Sequence, residues 1–148
     1  MNYFDCHADT LTEIVKPGDS LDENSGDLDL RRAGDFVEKY TQIFAVWKDA
    51  EKLDREDPDR DFLRLYHRAM AYLEDENRKI ALCHNGAEME KAHRQGKAAA
   101  FLSIEDLSVM GKHIETAYEM GFRFAMPAWN YENKYACGAA FDQTKGLT

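Results

Sequence analysis

The sequence predicts an α/β fold, organised as the N-terminal half of a (β/α)8 TIM barrel with parallel strands. Short apolar segments alternate with helix-like segments along the chain, an order typical of parallel strands joined by right-handed helical crossovers. Polar clusters follow directly after the apolar segments, where barrel enzymes carry their functional side chains. No Gly-x-Gly-x-x-Gly motif or P-loop follows the first strand, which favours the barrel over the alternative, a doubly wound sheet.

The length limits how much of a barrel the chain can form. The chain has 148 residues, whereas a complete barrel needs about 250. The sequence also stops at Gly146-Leu147-Thr148, inside a predicted loop. We therefore expect residues 1–148 to be one partial domain and a fragment of a longer protein.

Five apolar segments, rich in aromatic and aliphatic residues, predict the strands. The uninterrupted apolar character of the fourth segment indicates a strand buried on both faces. Charged or Gly-rich segments at Lys16–Gly26 and Lys48–Arg55 predict loops. The predicted strands are Asn2–Cys6, Tyr40–Trp47, Ile80–Cys83, Ala98–Ile104 and Phe122–Met126.

Cap residues and apolar spacing predict three helices between these strands. Asp57 before Pro58 marks the start of the first helix. Asn85 with Glu88 resembles a capping box at the start of the second, and Gly96 suits its C-terminal end. Side chains at helical spacing supply the apolar faces, with Phe62, Leu65, Tyr66, Ala69 and Leu73 in the first helix and Met110, Ile114, Ala117 and Tyr118 in the third.

Composition excludes several classes of protein. The chain has 19 Lys and Arg against 28 Asp and Glu, a net charge of −9. This balance disfavours nucleic-acid and anionic-membrane partners, both of which need clustered cations. Three cysteines at irregular spacing, together with an N-terminus that does not resemble a signal peptide, predict reduced thiols and a cytoplasmic location.

Two polar clusters contain the residue types that bind metal ions. Asp5, His7 and Asp9 alternate after the first strand, and in extended backbone they would project to one side. Imidazole and carboxylate ligands suit Zn²⁺ or Mn²⁺. Glu105 ends the most apolar strand and could coordinate one metal or bridge two. The alternatives are a solvated turn for the first cluster and, for Asp106, the N-cap of the next helix.

A third cluster follows the fifth strand. Trp129 and Asn130 are candidates for the wall of a small-ligand pocket, and the alternative is a loop whose Trp closes over the core. The remaining histidines are interpreted as surface or structural residues: His67, His84, His93 and His113.

These segments, in this order and spacing, resemble the membrane (renal) dipeptidase family of zinc metallopeptidases. Phe4–Leu11 is similar to the family's opening Asp-x-His-x-Asp motif, and Ile104-Glu105 to its Ile/Val-Glu-Gly motif. The other similar segments are Asp27–Gly34, Thr41–Ala45, Ala117–Arg123, Trp129–Asn133 and Gly146–Thr148. Two positions depart from the family: Asp106-Leu107 replaces Gly-Gly after the glutamate, and Trp129 replaces a His that contacts substrate in animal members.

The resemblance implies the first half of a metallo-dependent hydrolase barrel, with two zinc ions in each intact active site and dipeptides as substrate. Manganese or another divalent metal is the alternative cofactor. By this resemblance, His7 and Asp9 are ligands of one ion and Glu105 bridges both, while further histidines and a catalytic Asp belong to the second half. We therefore expect this chain alone to be inactive and to self-associate through its open half-barrel.

Two other functions remain open at this stage. One is another barrel-type metal-dependent hydrolase, either an amidohydrolase or a phosphoesterase. The other is a non-catalytic α/β remnant in which His7 and Asp9 bind nothing.

Overall fold

Helices and parallel strands alternate through the computed structural model, which describes residues 1–14, 19–49, 52, 57–75, 77–140 and 146–147. The strands are β1 (Asn2–Ala8), β2 (Lys39–Val46), β3 (Ile80–Leu82), β4 (Ala98–Glu105) and β5 (Phe122–Met126). The helices are α1 (Thr10–Glu13), α2 (Leu30–Phe36), α3 (Pro58–Leu73), α4 (Gly86–Arg94) and a 3₁₀ helix (Leu107–Thr116). The predicted α/β class with parallel strands is confirmed.

The sheet has the order β1-β2-β4-β3, and β5 also pairs with β4. β2 pairs with β4 from Thr41–Ala99 to Val46–Ile104. On the other edge of β4, β3 pairs with residues 98–100 and β5 with residues 102–105. β3 and β5 therefore share one edge of β4. The three residues of β3 pair only with the first part of β4, which leaves the rest of that edge to β5.

The main core lies between the sheet and the long helix α3. Phe44, Leu102 and Ile104 leave the sheet on this face and pack in one cluster with Phe62 of α3 and Met110 of the 3₁₀ helix. All five side chains are almost completely buried, which makes this layer the main apolar contribution to stability.

The opposite face of the sheet is covered at one end only. Helix α4 contributes Ala92 to a second cluster with Ile43 and Phe101. His93 Nε2 lies 3.1 Å from Thr41 Oγ1, which holds α4 against the N-terminal end of β2. β4 is therefore buried on both faces, as its composition predicts. On this face the exposed large apolar side chains belong to the outer strands: Phe4 of β1 and Phe124 and Met126 of β5.

The two predicted helix starts are confirmed by their caps. Asp57 Oδ1 accepts a hydrogen bond from the backbone N–H of Arg60 at 3.0 Å, and Asn85 Oδ1 accepts one from Glu88 at 3.0 Å. The reciprocal half of the capping box is absent, because Glu88 Oε2 accepts from the backbone N–H of His84 instead.

The third predicted helix differs from its expected form. It is a 3₁₀ helix in which Gly111 has φ 55° and ψ −122°, so the chain kinks there. A side chain at this glycine would meet the Asp59 carboxylate of α3. Close packing against α3 therefore interrupts the regular spacing that predicts an α-helix.

Two short helices, α1 and α2, were not predicted from the sequence. Of the predicted loops, residues 19–26 contain no helix or strand, whereas residues 16–18 and most of 48–55 lie outside the described residues. None of the helices in the described part of the chain combines the length and apolar character that crossing a bilayer requires.

Candidate metal centre

His7, Asp9 and Glu105 come together at the carboxyl ends of β1 and β4. One potential ligand atom from each residue lies within 4.8 Å of the other two. His7 Nε2 lies 3.3 Å from Glu105 Oε2 and 3.4 Å from Asp9 Oδ1. One imidazole nitrogen and two carboxylates thus surround one point, a donor set that suits Zn²⁺ and similar divalent ions.

An irregularity in β1 decides which acidic residue joins His7. Asp5 pairs with Gln42 and Ala8 with Phe44, so β1 has one residue more than β2 between these pairs. Such a bulge breaks the alternation of side chains. Asp5 lines the same cleft as His7 and Asp9, but its carboxylate accepts from the backbone N–H of His7 at 3.1 Å and is not in the ligand group.

Two features of the carboxylates favour a bound cation. Asp9 Oδ1 is buried and has no hydrogen-bond partner within the described residues. Burial raises the pKa of the Glu105 carboxyl; His7 opposes this shift, and the negative charges of Asp9 and Asp106 add to it. A divalent ion between the three side chains would give Asp9 Oδ1 a partner in place of the missing hydrogen bond. Its positive charge would also favour the ionised form of the Glu105 carboxyl.

A cleft of about 730 Å³ opens beside His7 and Asp9. Asp19 and Asp27 from the segment before α2, and Glu13 of α1, give it an acidic lining. Its volume is in the range of small-ligand sites.

The loop after β5 borders the same edge of the sheet. The ring of Trp129 packs edge-on against Trp47, with ring centroids 5.2 Å apart. The backbone C=O of Asn130 accepts from Ala140 at 3.0 Å, and Gly138 approaches Asn130 so closely that a Cβ there would overlap its backbone. Contact of Trp129 and Asn130 with a substrate stays a prediction.

Trp47 is the residue at this edge that the sequence analysis did not single out. It follows the last residue of β2, and its position at a strand end was the available signal. The structure does confirm Asp106 as a cap, because its carboxylate accepts from the backbone N–H of Ser108 at 2.9 Å.

The four remaining histidines lie outside the ligand group. His84 Nδ1 lies 3.0 Å from Glu88 Oε2, and His93 bonds to β2 as described. The ring of His113 packs on Phe62, and that of His67 on Tyr66. His113 Nε2 is buried without a hydrogen-bond partner among the described residues, so His113 is not the satisfied structural residue that the sequence predicts.

A sequence model of the membrane dipeptidase family, peptidase family M19, matches residues 1–148. The chain belongs to this family. Membrane dipeptidases are TIM-barrel metallopeptidases, and the parallel sheet with intervening helices agrees with part of such a barrel. The predicted family and the barrel fold are therefore confirmed.

Solved structures of family members share this fold. The chain is similar to the dipeptidase AC, a metallopeptidase of family M19, with a TM-score of 0.74 and 19% identity over 93% of this chain and 46% of that one. The chain is also similar to a metallopeptidase from Rhodobacter sphaeroides that is liganded with a phosphinate mimic of the dipeptide L-Ala-D-Ala. The TM-score is 0.74 and the sequence identity 18%, over 93% of this chain and 48% of that one.

More distant structures show the same arrangement. The probable dipeptidase PvdM from Pseudomonas aeruginosa gives a TM-score of 0.60 and 16% identity over 84% of this chain and 32% of that one. Among curated proteins, no significant match was found. The chain spans about half the length of the two membrane-dipeptidase structures with the higher TM-scores.

Proposed function

We propose that this chain supplies the first half of the metal centre of a zinc-dependent dipeptidase. His7 and Asp9 would bind one zinc ion, and Glu105 would bridge that ion and a second one. Manganese or another divalent metal is the alternative. The observation that carries the proposal is the convergence of these three side chains within 4.8 Å, with Asp9 Oδ1 buried and without a hydrogen bond from the described residues.

The chemistry that the ions supply, when bound, is polarisation of the scissile carbonyl and a lowered pKa of a water molecule. The contribution of this chain is the position of the ligands. β1 and β4 both pair with β2, so His7, at the bulge of β1, and Glu105, at the end of β4, are held by paired strands and not by free loops, which favours a defined geometry.

The substrate side of the proposal is a small dipeptide in the acidic cleft beside His7. The Rhodobacter sphaeroides relative is liganded with a mimic of L-Ala-D-Ala, which supports dipeptides over phosphoesters. Trp129 and Asn130 are not among the residues that line this cleft; they would contact the substrate from the loop after β5. We further propose a cytoplasmic location, supported by Cys6, Cys83 and Cys137 as free thiols.

Three protein ligands are fewer than a two-metal centre needs, so we expect the 148-residue chain alone to bind zinc weakly and at one site. The remaining ligands and the proton-transferring Asp would come from residues outside this sequence. The chain alone should therefore not hydrolyse dipeptides.

Zinc titration of the purified chain tests this assignment. Competition with a chromophoric chelator should give one weak site, with affinity at least about tenfold lower in His7→Ala and in Glu105→Gln. Asp5→Asn is the matched control, because Asp5 belongs to the same motif but is not in the ligand group. Its affinity should stay unchanged.

Three results would contradict the proposal. The first is equal zinc affinity in all variants, and the second is a loss in Asp5→Asn as large as in His7→Ala. The third is two tightly held ions for each chain, which would also refute the expectation that ligands are missing. Dipeptide hydrolysis by the isolated chain, measured with added zinc or manganese, would refute the expected inactivity.

A further inference from the structure

Asp106, the residue after Glu105, has an unusual backbone conformation. Its φ of 78° and ψ of 100° make it the one non-glycine residue with positive φ in the described part of the chain. Side chains avoid this region unless surrounding contacts hold them there, and such residues are concentrated at functional sites. The contacts of Asp106 therefore need an explanation.

The Asp106 carboxylate is 2% exposed and accepts hydrogen bonds from two segments of the chain. Oδ1 accepts from Ser108 N at 2.9 Å, from Ser108 Oγ at 2.6 Å and from Asn133 Nδ2 at 2.8 Å. Oδ2 accepts from Trp129 N at 3.4 Å. The backbone N–H of Asp106 also donates to the Met126 carbonyl of β5 at 3.2 Å. A helix cap would need only the contacts to Ser108.

Asn133 extends this network through the loop that follows β5. Its Nδ2 also donates to the Pro127 carbonyl at 2.8 Å, and its Oδ1 accepts from the backbone N–H of Tyr135 at 2.7 Å. The side chains of Asp106 and Asn133 thus join the end of β4 to the loop that carries Trp129.

We propose that Asp106 is a positioning residue that holds the Glu105 carboxylate and the Trp129 loop in one fixed arrangement at the metal centre. The part concerning metal rests on the proposed role of Glu105 as a ligand. Mutation of a group that orients a metal ligand typically lowers metal affinity about 10–100-fold. Here one side chain joins the end of β4, which carries Glu105, to the loop that carries Trp129.

Two substitutions test whether the Asp106 side chain has this role or whether the residue only has to adopt the positive φ of this turn. Asp106→Gly keeps the backbone conformation, since glycine adopts positive φ freely, and removes every side-chain hydrogen bond. Asp106→Asn keeps an acceptor at the Oδ1 position. Asp29→Gly is the matched control, because Asp29 is a buried N-cap that accepts from the backbone N–H of Arg32 at 2.7 Å and is not in the ligand group.

Two measurements on the 148-residue chain read out the two halves of the proposal. Zinc affinity reports on Glu105. Acrylamide quenching of tryptophan fluorescence reports on the loop, because the chain has two tryptophans, and these are the packed pair Trp47 and Trp129. Asp106→Gly should lower zinc affinity about tenfold or more and increase quenching. Asp106→Asn should keep zinc affinity and quenching close to those of the unmodified chain. Asp29→Gly should change neither zinc affinity nor quenching.

Unchanged quenching in Asp106→Gly, or equal changes in Asp29→Gly, would overturn the proposal. Increased quenching with unchanged zinc affinity would also overturn it, because Glu105 would not depend on Asp106. If the unmodified chain binds no zinc, the proposed function fails separately. The quenching result then decides alone whether Asp106 holds the loop, with rescue by Asp106→Asn supporting that role and its absence refuting it.

Discussion

Replacing Phe124 by serine should weaken self-association of this chain by about a thousandfold. Phe124 of β5 and Phe4 of β1 flank the buried ring of Phe101 on the face of the sheet opposite α3. Their ring centroids lie 5.9 and 6.3 Å from that of Phe101. Phe4 is 48% exposed and Phe124 is 44% exposed. We call the surface formed by Phe4, Phe124 and Met126, which are 37–48% exposed, the open face. Contiguous apolar surface of this kind favours association.

The magnitude follows from the exposed area of the ring. A phenylalanine presents about 200 Å², so a residue that is 44% exposed offers roughly 90 Å² for burial. At about 25 cal/mol per Å², one ring contributes about 2 kcal/mol. A two-fold symmetric pair buries the ring of each copy, so the substitution removes about 4 kcal/mol, or roughly three powers of ten in Kd.

Sedimentation velocity across a concentration series measures this change directly. Phe36→Ser is the control, because Phe36 is 78% exposed at the end of α2 and is not part of the open face. Its Kd should match that of the unmodified chain. Unchanged association in Phe124→Ser, or a monomeric unmodified chain at all concentrations, would refute the reasoning from the open face.

Three further predictions concern the core, the loop after β5 and the thiols. Phe62→Ala should lower the free energy of unfolding by about 3–5 kcal/mol, because the ring is completely buried between α3 and the sheet; a loss below 1 kcal/mol in urea titration would contradict this. Gly138→Ala should lower the melting temperature and increase tryptophan quenching, since the added Cβ overlaps the backbone of Asn130, and an unchanged melting curve would count against that contact. Burial raises the pKa of the Cys83 thiol and thereby favours the unreactive neutral form. At pH 8, iodoacetamide should therefore modify exposed Cys6 but leave Cys83 intact, as peptide mass spectrometry would reveal; comparable modification of both would refute the prediction.

The elements predicted well are those whose determinants lie within a few residues. The caps at Asp57 and Asn85 need only the backbone N–H three residues later. β5 has its predicted bounds, between Gly121 and Pro127. Each of these signals is local, so it can be recognised before the fold is known.

The features that the sequence did not predict lie where distant segments meet. The order of β3 and β5 along β4 is a pairing choice that neither strand encodes alone. The kink at Gly111 reflects close packing of Asp59 from α3. The exclusion of Asp5 from the ligand group depends on how β1 pairs with β2.

The sequence by itself determined the α/β class, the membrane-dipeptidase resemblance and the residue types available for a metal centre, because periodicity, caps and motifs are properties of neighbouring residues. Only the tertiary structure decided that Glu105, almost one hundred positions along the chain, lies 3.3 Å from His7, and that Asp106 joins it to the loop of Trp129. These contacts depend on strand register and on a bulge, which arise only when β1, β2 and β4 pair. Side chains that are remote in sequence then meet at the carboxyl ends of the strands.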